Sequence, residues 1–490
     1  MILFGLIQLA CSSEDGGSGV PEPPAWPEGR LVSAAVMDDG AILIAAEHGE
    51  IHRSEDAGET WRRARGPAVK SISALSMADT QVGWAVGDGV ILKTDDAGLA
   101  WRRQRLPRRA DEVQLMGVAA VDLDRAIAVG ADGLRFYTQD GGAVWKDASN
   151  PLVAPSRESV GRAMPHELFG ALHDDLHDVA CEAEGLNRCW AVGAGLYVSR
   201  DLGVSWEPVP VSHFDSTEPI EFAFSGVEIS EKDAERIRAL ATKWRYVSAL
   251  SWRIEVALSA SEVERIGGQR DFAALLEIVE ARAQETRSIL EDAGIETTRI
   301  ETLGAPPWNY EDSLDEDPEL LERYFSERMR EVGSVRIHLD DHARLHALAL
   351  AEEGHAIAVG EAGKVARRVR TQDGGFAWKV EGRNGKQDLF GVALGSEGRP
   401  VLVGAQGGFW LTDVEYDADQ PADYAQRGAV EGPGTFGAIR DIAFGRGAEP
   451  KGVAVGELGR IWTTEGIPPE WRVRTSPDSA DGKQPAGVNH

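Results

Sequence analysis

Two clusters of imidazole and carboxylate side chains could hold a metal ion. The first is His173, Asp174, Asp175, His177 and Asp178, and the second is His338, Asp340, Asp341, His342 and His346. Aligned repeats place His177 and His346 at one position of neighbouring strands, and these donors suit a divalent transition metal. The sequence therefore predicts a metal site at His173, His177, His342 and His346, with ordinary surface histidines as the alternative. No other cofactor is expected.

Arginine recurs after two tryptophans of this acidic chain. The stretches are WRRAR at 61–65 and WRRQR at 101–105, and two further arginines follow. Guanidinium groups pair well with carboxylates and phosphates, so we predict one partner-binding patch on an outer rim. Its members are Arg62, Arg63, Arg65, Arg102, Arg103, Arg105, Arg108 and Arg109. The alternative is that these stems only cover exposed strand edges.

A third pattern, Ser/Thr-x-Asp-x-Gly-x-x-Trp, recurs along the chain. Its aspartates are Asp56, Asp96, Asp140, Asp201 and Asp373. In a tight turn the carboxylate accepts backbone N–H bonds, Gly supplies a positive φ and Trp packs on the sheet. Because the same Asp recurs from repeat to repeat, we assign it a structural role, and we assign no catalytic residue.

These side chains belong to a repeated set of short strands. An apolar strand ending in Gly recurs as GWAVG at 83–87, AIAVG at 126–130, CWAVG at 189–193, AIAVG at 356–360, PVLVG at 400–404 and GVAVG at 452–456, and AILIAA at 41–46 lacks only the Gly. Further strands precede and follow each copy. Four-strand units repeating at about 40–45 residues are typical of a β-propeller. We predict an all-β fold, a seven-bladed propeller.

One step between consecutive Gly-ending strands is 167 residues long, which predicts an insertion between blades 4 and 5. The insertion covers 210–343 and carries 29 acidic and 15 basic residues. Capping signals and apolar spacing predict helices from Ser230 to about Ile266, over 270–293 and over 317–332. We therefore expect a mostly helical insertion. It is either a solvated ornament or a lid or partner-docking module.

The N-terminal residues resemble a bacterial lipoprotein signal. MILFGLIQLA at 1–10 is apolar, is too short to span a bilayer and precedes Cys11. The resemblance implies signal processing within 1–11, lipidation of Cys11 and export to the periplasm or cell surface as an outer-membrane lipoprotein. An ordinary secretory signal is the alternative. Residues 12–29 predict a flexible linker, and 477–490 a disordered tail.

Cys181 and Cys189 are separated by turn-forming residues. Facing positions of a hairpin lie within disulfide reach, and an exported compartment would oxidise them. We predict a disulfide between them, with two unrelated buried thiols as the alternative.

Charge excludes one class of partner. The chain has 490 residues and a formal net charge of −29, which repels a nucleic-acid backbone. We therefore expect no nucleic-acid partner. No other stretch reaches the 18 apolar residues of a membrane-spanning helix, so the membrane contact we expect is the lipid anchor.

The combined pattern GWAVGDGVILKTDDAGLAW at 83–101 resembles the photosystem II assembly and stability factor family. The resemblance covers 30–209, blades 1–4, and 344–476, blades 5–7. It implies an exported seven-bladed propeller that acts as a non-enzymatic scaffold and holds protein clients, with an arginine patch used in client contact. The client itself is not identified.

The Asp-containing pattern also resembles the Asp-box, or BNR repeat, of sialidases and some endoglucanases. The alternative function is therefore an Asp-box glycoside hydrolase. Against it, the Arg-Ile-Pro signature of sialidases is absent and none of the 7 tyrosines has a recognisable catalytic context.

Overall fold

The structure is a computed structural model. It describes residues 26–149, 175–182, 187–209, 211–213, 219–245, 250–266, 272–303, 332–351, 354–371, 374–381, 387–395, 398–412, 417, 419, 424–426, 437–445, 451–465 and 471–474. Cys11, His173, Asp373, residues 317–331 of the third predicted helix and the predicted tail lie outside these residues.

The described residues are mostly β, with many four-stranded antiparallel sheets. Sheet I contains β1 (Leu31–Val36), β2 (Ile42–Ala46), β3 (Ile51–Ser54) and β4 (Arg62–Arg63), and sheet II contains β5 (Ala74–Met77), β6 (Gly83–Gly87), β7 (Val90–Thr94) and β8 (Arg102–Arg103). Sheet III contains β9 (Leu115–Ala120), β10 (Ala126–Gly130), β11 (Arg135–Thr138) and β12 (Trp145–Asp147). Sheet IV contains β13 (Leu176–Cys181), β14 (Cys189–Gly193), β15 (Leu196–Ser199) and β16 (Glu207–Pro208).

The residues from 211 to 341 hold the helices and a further sheet. In chain order they form β17 (Val211–His213), β18 (Ile220–Glu221), α1 (Glu231–Trp244), β19 (Leu250–Ala257), α2 (Ala260–Arg265), α3 (Phe272–Asp292), β20 (Ile300–Leu303) and β21 (Ser334–Asp341). None of the described helices is long and apolar enough to cross a membrane.

Sheets V to VII follow. Sheet V contains β22 (Leu345–Leu350), β23 (Ala356–Gly360), β24 (Val365–Arg370) and β25 (Phe376–Val380). Sheet VI contains β26 (Leu389–Leu394), β27 (Pro400–Gly404), β28 (Phe409–Thr412) and β29 (Tyr424–Gln426). Sheet VII contains β30 (Ile439–Phe444), β31 (Lys451–Gly456), β32 (Ile461–Glu465) and β33 (Arg472–Arg474).

The sheets form a closed ring. The first strand of each sheet contacts the first strand of the next, from β1 through β5, β9, β13, β22 and β26 to β30, and β30 in turn contacts β1. The four strands named for each sheet pair in chain order, so the fourth strand lies outermost in every sheet except sheet V, which has a further strand outside it. This arrangement is consistent with a β-propeller.

The apolar core lies between neighbouring sheets. Second strands such as β2, β6 and β10 are buried along their whole length. The large buried side chains include Trp61, Trp84 and Trp206, each at most 1% exposed. Burying flat aromatic faces between stacked sheets removes much apolar area from water, which stabilises the ring.

The repeated Gly at the end of the second strands is needed for a close approach of two backbones. A Cβ on Gly130 would lie 2.0 Å from the carbonyl oxygen of Gln114, and one on Gly193 would lie 2.0 Å from that of Asp175. The first strand has a register shift at this point, between Leu176 and Asp178 in sheet IV. Any side chain at the Gly would force these strands apart.

The inserted region differs from the sequence prediction. The predicted helix from Ser230 to about Ile266 is instead α1, the strand β19 and the short α2. The helix predicted over 270–293 corresponds to α3. A sheet of order β18-β21-β19-β20 accompanies the helices. In β19 the residues alternate between buried and partly buried, because alternate side chains face the core shared with the helices.

The point at which the chain leaves the ring also differs from the prediction. Val211–His213 was assigned to the insertion, but it pairs in parallel with β25 as a fifth, outermost strand of sheet V. The chain returns through β21 directly into β22, the innermost strand of the same sheet. The two connections therefore lie on opposite sides of sheet V.

Candidate functional site

The fourth strands of three sheets position a group of arginines at the edge of the ring. We call this group the arginine rim, and it consists of the arginines of β4, β8 and β33 with their flanking arginines. Trp61 and Trp101 are at most 4% exposed and fix the start of two of these strands. Arg62 then pairs in register with Arg53, and Arg102 with Lys93. Because the fourth strand lacks an outer neighbour in sheets I and II, the arginines that follow each Trp project into solvent.

Four of the predicted patch residues are held by acidic neighbours. Arg63 contacts Glu50 at 3.0 Å and Arg109 contacts Glu112 at 3.7 Å. Arg102 pairs with Asp95, and Arg108 with Asp147. These exposed ion pairs each contribute little stability.

The other four patch residues have spare donors. Among the described residues, Arg103 donates only to the carbonyl of Ala68, at 3.4 Å. Within the described chain, Arg62, Arg65 and Arg105 have no acidic partner, and all three are exposed. Guanidinium groups in this condition are available to a carboxylate or phosphate from outside.

Sheets I and II are joined beside these arginines. The backbone N–H of Arg65 donates to the Leu99 carbonyl at 2.9 Å, and Trp101 N–H donates to the Arg65 carbonyl at 2.7 Å. These bonds hold the chain after β4 against the turn before β8. The arginine groups of the two sheets therefore belong to one surface, and Leu99, which is 44% exposed, lies beside them.

Sequence reasoning missed two members of the rim. Arg472 and Arg474 follow Trp471 in the fourth strand of sheet VII, and Arg472 pairs with Thr463 at the register step that Arg62 and Arg102 occupy. The signal was present as WRVR at 471–474. This repeat, like that of sheet VI, lacks the Asp that marks the other repeats, so the pattern does not identify it. The rim therefore crosses the closure of the ring, from sheet VII through I to II.

The Asp-containing turns share one set of hydrogen bonds. Ser54 Oγ donates to Asp56 at 2.8 Å and accepts the N–H of Gly58 at 2.8 Å, while the carboxylate accepts the N–H of Thr60 at 2.8 Å. The turns at Asp96, Asp140 and Asp201 repeat these bonds. Although burial raises the pKa of Asp56, bonds from Thr60 and Ser54 hold it below its ordinary value.

His177 and His346 lie together, as the repeat alignment predicted. Their ring centroids are 5.3 Å apart, and His346 stacks on Phe390, which packs under the Arg440 guanidinium. His346 Nδ1 lies 3.1 Å from the Leu389 carbonyl, which only accepts, so Nδ1 carries the proton. Burial lowers the pKa of His177, and the neighbouring His346 lowers it further.

The other predicted metal ligand lies elsewhere. His342 Nε2 is 2.8 Å from Ser251 Oγ in the inserted sheet, and His338 Nε2 is 2.7 Å from Glu255. Across the described ranges, no three His, Cys, Asp or Glu side chains form a group that could hold a metal ion. The residues brought together are thus the pair His177 and His346 alone.

Two largely buried carboxylates, whose residues remain partly exposed, join first strands of neighbouring sheets. Asp178 accepts the N–H of Leu348 at 2.9 Å, and Asp441 accepts the N–H of Ala34 at 2.8 Å. Burial, together with the nearby charge of Asp441, raises the pKa of Asp178 to about 7. Burial likewise raises the pKa of Asp441 to about 6. Sequence reasoning missed a structural role for both residues.

Cys181 and Cys189 face each other across β13 and β14, and their sulfur atoms are bonded. Cys189 is fully buried. The bridge therefore joins the two strands of sheet IV at the end of their hairpin.

Comparison with known proteins describes the fold alone. No protein-family model and no curated protein matches the chain. It is similar to YCF48 from Cyanidioschyzon merolae, with 13% identity, coverage of 91% of this chain and 97% of that one, and a TM-score of 0.48. It is also similar to the GH74 xyloglucanase from Xanthomonas campestris, with 12% identity, coverage of 91% of this chain and 54% of that one, and a TM-score of 0.47. The similarity to YCF48 bound to D1 peptide has 14% identity, coverage of 80% of this chain and 90% of that one, and a TM-score of 0.31.

Proposed function

We propose that this chain is a seven-bladed β-propeller, with sheets I to VII as its blades and an inserted α/β module between blades 4 and 5. We propose further that it is a non-enzymatic binding scaffold whose arginine rim holds an acidic segment of a protein client. The observation that carries this proposal is the set Arg62, Arg65 and Arg105, exposed and without acidic partners among the described residues, in a chain of net charge −29.

Part of the positive charge of the arginine rim has no partner among the described carboxylates. An acidic protein has many carboxylates with which to pair its arginines, and Arg63, Arg102 and Arg108 are paired in this way. Positive charge left unpaired on adjacent outer strands creates a local potential that steers an acidic partner to this rim. The exposed Leu99 adds apolar contact area within the same surface.

The proposed setting is outside the cytoplasm, with the chain anchored to a membrane through Cys11. A disulfide between Cys181 and Cys189 persists in an oxidising compartment, which supports this setting. The inserted module, which carries the larger helices, is a second surface available to a client.

The experiment is a pull-down of the intact exported protein with mass spectrometry of what it captures. The test variant is the triple change Arg62→Gln, Arg65→Gln and Arg105→Gln. The matched control is Arg238→Gln, an exposed arginine of α1 that pairs with Glu231. We expect the triple variant to lose the client, the control to keep it, and capture by the wild type to weaken as salt rises.

Equal capture by the wild type and the triple variant at low salt would contradict the rim as the binding surface. Hydrolysis of a polysaccharide in a screen of purified wild-type protein would contradict the non-enzymatic part. Circular dichroism of each variant shows whether the ring is still folded.

A further inference from the structure

A crevice lies where the ring closes, between the outer parts of sheets VII and I. Its volume is about 160 Å³, enough to take one amino-acid side chain. The lining residues are Asp56, Ala57, Glu59, Thr463, Thr464, Arg472 and Arg474. The crevice is therefore built from the Asp-containing turn of sheet I on one side and the last two strands of sheet VII on the other.

Sheet VII lacks the carboxylate that completes the corresponding turn in other sheets. Thr464 aligns with Ser54 and Thr94, whose hydroxyls donate to an Asp two residues later. In sheet VII that position is Gly466. Thr464 is 3% exposed, and its hydroxyl has no hydrogen-bond partner among the described residues. Missing hydrogen bonds of buried groups carry a free-energy cost, so an acceptor brought to this crevice would be favoured.

The same relation holds in sheet VI. Thr412 is followed two residues later by Val414, and within the part of the chain that the structure describes the buried Thr412 hydroxyl also lacks a partner. Among the described residues, a buried hydroxyl without a partner therefore occurs at this position in both sheets that lack the Asp. Sheet VII differs from sheet VI because it adds two arginines beside the hydroxyl.

The guanidinium groups of the crevice are only loosely occupied. Arg472 is exposed and has no acidic partner in the described part of the chain. Arg474 donates from Nε to Thr463 Oγ1 at 2.9 Å, and its Nη1 lies 3.5 Å from Glu59, whose side chain is 65% exposed. An exposed pair at this distance contributes little and is readily exchanged.

The acidic residues of the lining do not fill the crevice. The carboxylate of Asp56 already accepts hydrogen bonds from Ser54 and Thr60 within its own turn. Glu59 is the one lining carboxylate that can move away from its arginine. An external carboxylate would then meet two guanidinium groups, which bind carboxylates strongly through paired N–H donors.

We infer that this crevice binds a carboxylate group, which pairs with Arg472 and displaces Glu59 from Arg474. The inference rests on the proposed function, since it makes the crevice the place where an acidic side chain of the client is inserted at the end of the arginine rim. Arg472 shares its register step with Arg62 and Arg102, so one acidic segment can contact the rim and the crevice together.

The test measures binding of a small probe to the full chain by calorimetry at low salt. The probe is N-acetylglutamate amide, and N-acetylglutamine amide is its neutral counterpart. We expect saturable binding of the first only. Arg472→Gln should weaken it about tenfold, as expected for one charge-assisted hydrogen bond. Glu59→Gln should tighten it about threefold by removing the competing carboxylate. Arg238→Gln is the matched control and should change nothing.

Two further arms identify the source of the carboxylate. Acetate tests a free small acid, and a glutamate-containing octapeptide tests a protein segment. We expect the octapeptide to bind more tightly than either small probe, because it also reaches Arg62. Melting curves confirm that Arg472→Gln and Glu59→Gln are folded.

Equal binding of the acidic and neutral probes would overturn the inference, and so would unchanged binding in the folded Arg472→Gln protein or weaker binding in Glu59→Gln. Client capture that needs Arg62 but not Arg472 would refute the crevice and leave the proposed scaffold function standing. Loss of capture in neither variant would refute the scaffold function on this rim.

Discussion

Asp178 should make the ring less stable at neutral and alkaline pH than in mild acid. Its pKa in the folded chain is raised to about 7 from an ordinary value of 3.8. A raised pKa means that the folded state binds the proton more tightly than the unfolded state. The stabilisation is therefore fully present below about pH 4 and is lost as the pH rises through about 7. Asp178→Asn, which resembles the protonated side chain, should remove this loss.

The expected magnitude follows from the shift. About three pH units correspond to about 4 kcal/mol. Asp178 is partly exposed, so solvent screening reduces the expected gain of Asp178→Asn at pH 8 to about 1–2 kcal/mol. Asp441, with a pKa of about 6, should show a smaller gain when changed to Asn. Because the two charges repel each other, the gains of the two variants should not be additive.

The assay is denaturant unfolding of wild type and variants at pH 4.5 and pH 8. Each variant is compared with wild type at the same pH, so other titrating groups cancel. Ser76→Ala is the matched control, because Ser76 Oγ accepts the Ala120 N–H at 3.1 Å in the same way, between first strands of neighbouring sheets, but carries no charge. If Asp178→Asn gives no more stability at pH 8 than at pH 4.5, relative to wild type, the argument from the buried charge is wrong.

Three other predictions concern anchoring, oxidation and the insertion. Cys11→Ser should release the protein from the membrane fraction, and unchanged fractionation would argue against lipidation. Cys181 and Cys189 should resist thiol labelling until reduced, and losing their bridge should cost about 2 kcal/mol, measured by denaturant unfolding; two reactive thiols in the native protein would disprove the bridge. Replacing residues 214–338 by about 12 Gly and Ser residues, whose average reach is about 19 Å, should preserve cooperative melting of the ring. Failure of this variant to fold would show that the inserted module completes the ring.

The linker in the last prediction is longer than the sequence suggested. An insertion that simply joined two adjacent blades would leave and return at neighbouring points. Instead β17 ends on the outer edge of sheet V, and β22 is its inner edge. Four strand spacings separate them, about 19 Å. The ends of the inserted module itself are close, since Ile220 pairs with Val335.

The strands of the ring could be predicted because their signal is local. AIAVG at 356–360 matches β23 residue for residue, and CWAVG at 189–193 matches β14. A fully buried strand requires an apolar run, and its terminal Gly is required by the close backbone of the first strand. Both requirements act within one hairpin, so they appear as a repeated short pattern.

The inserted module was harder to predict because two periodicities follow each other closely. LSWRIEVA at 250–257 alternates as a strand does, but it lies between α1 and α2, whose caps at Ser230 and Ser259 are both strong helix starts. One helix across α1, β19 and α2 is not compatible with this alternation. The capping box of Ser259 with Glu262 marks a new helix and not the continuation of an old one.

The contacts that close the ring are the least predictable, because their partners are distant in sequence. Asp178 and Leu348 are 170 residues apart, and Asp441 and Ala34 are 407 apart. The equivalent position in sheet III is Gly117, where a Cβ would lie 2.8 Å from the Cα of Asp178. Whether this position needs a carboxylate or no side chain at all thus depends on the neighbouring sheet. Asp178 lies at the junction beside the insertion, and Asp441 lies at the closure of the ring. The negative charge that destabilises the ring above pH 7 is therefore concentrated at the two junctions where neighbouring sheets are not consecutive in sequence.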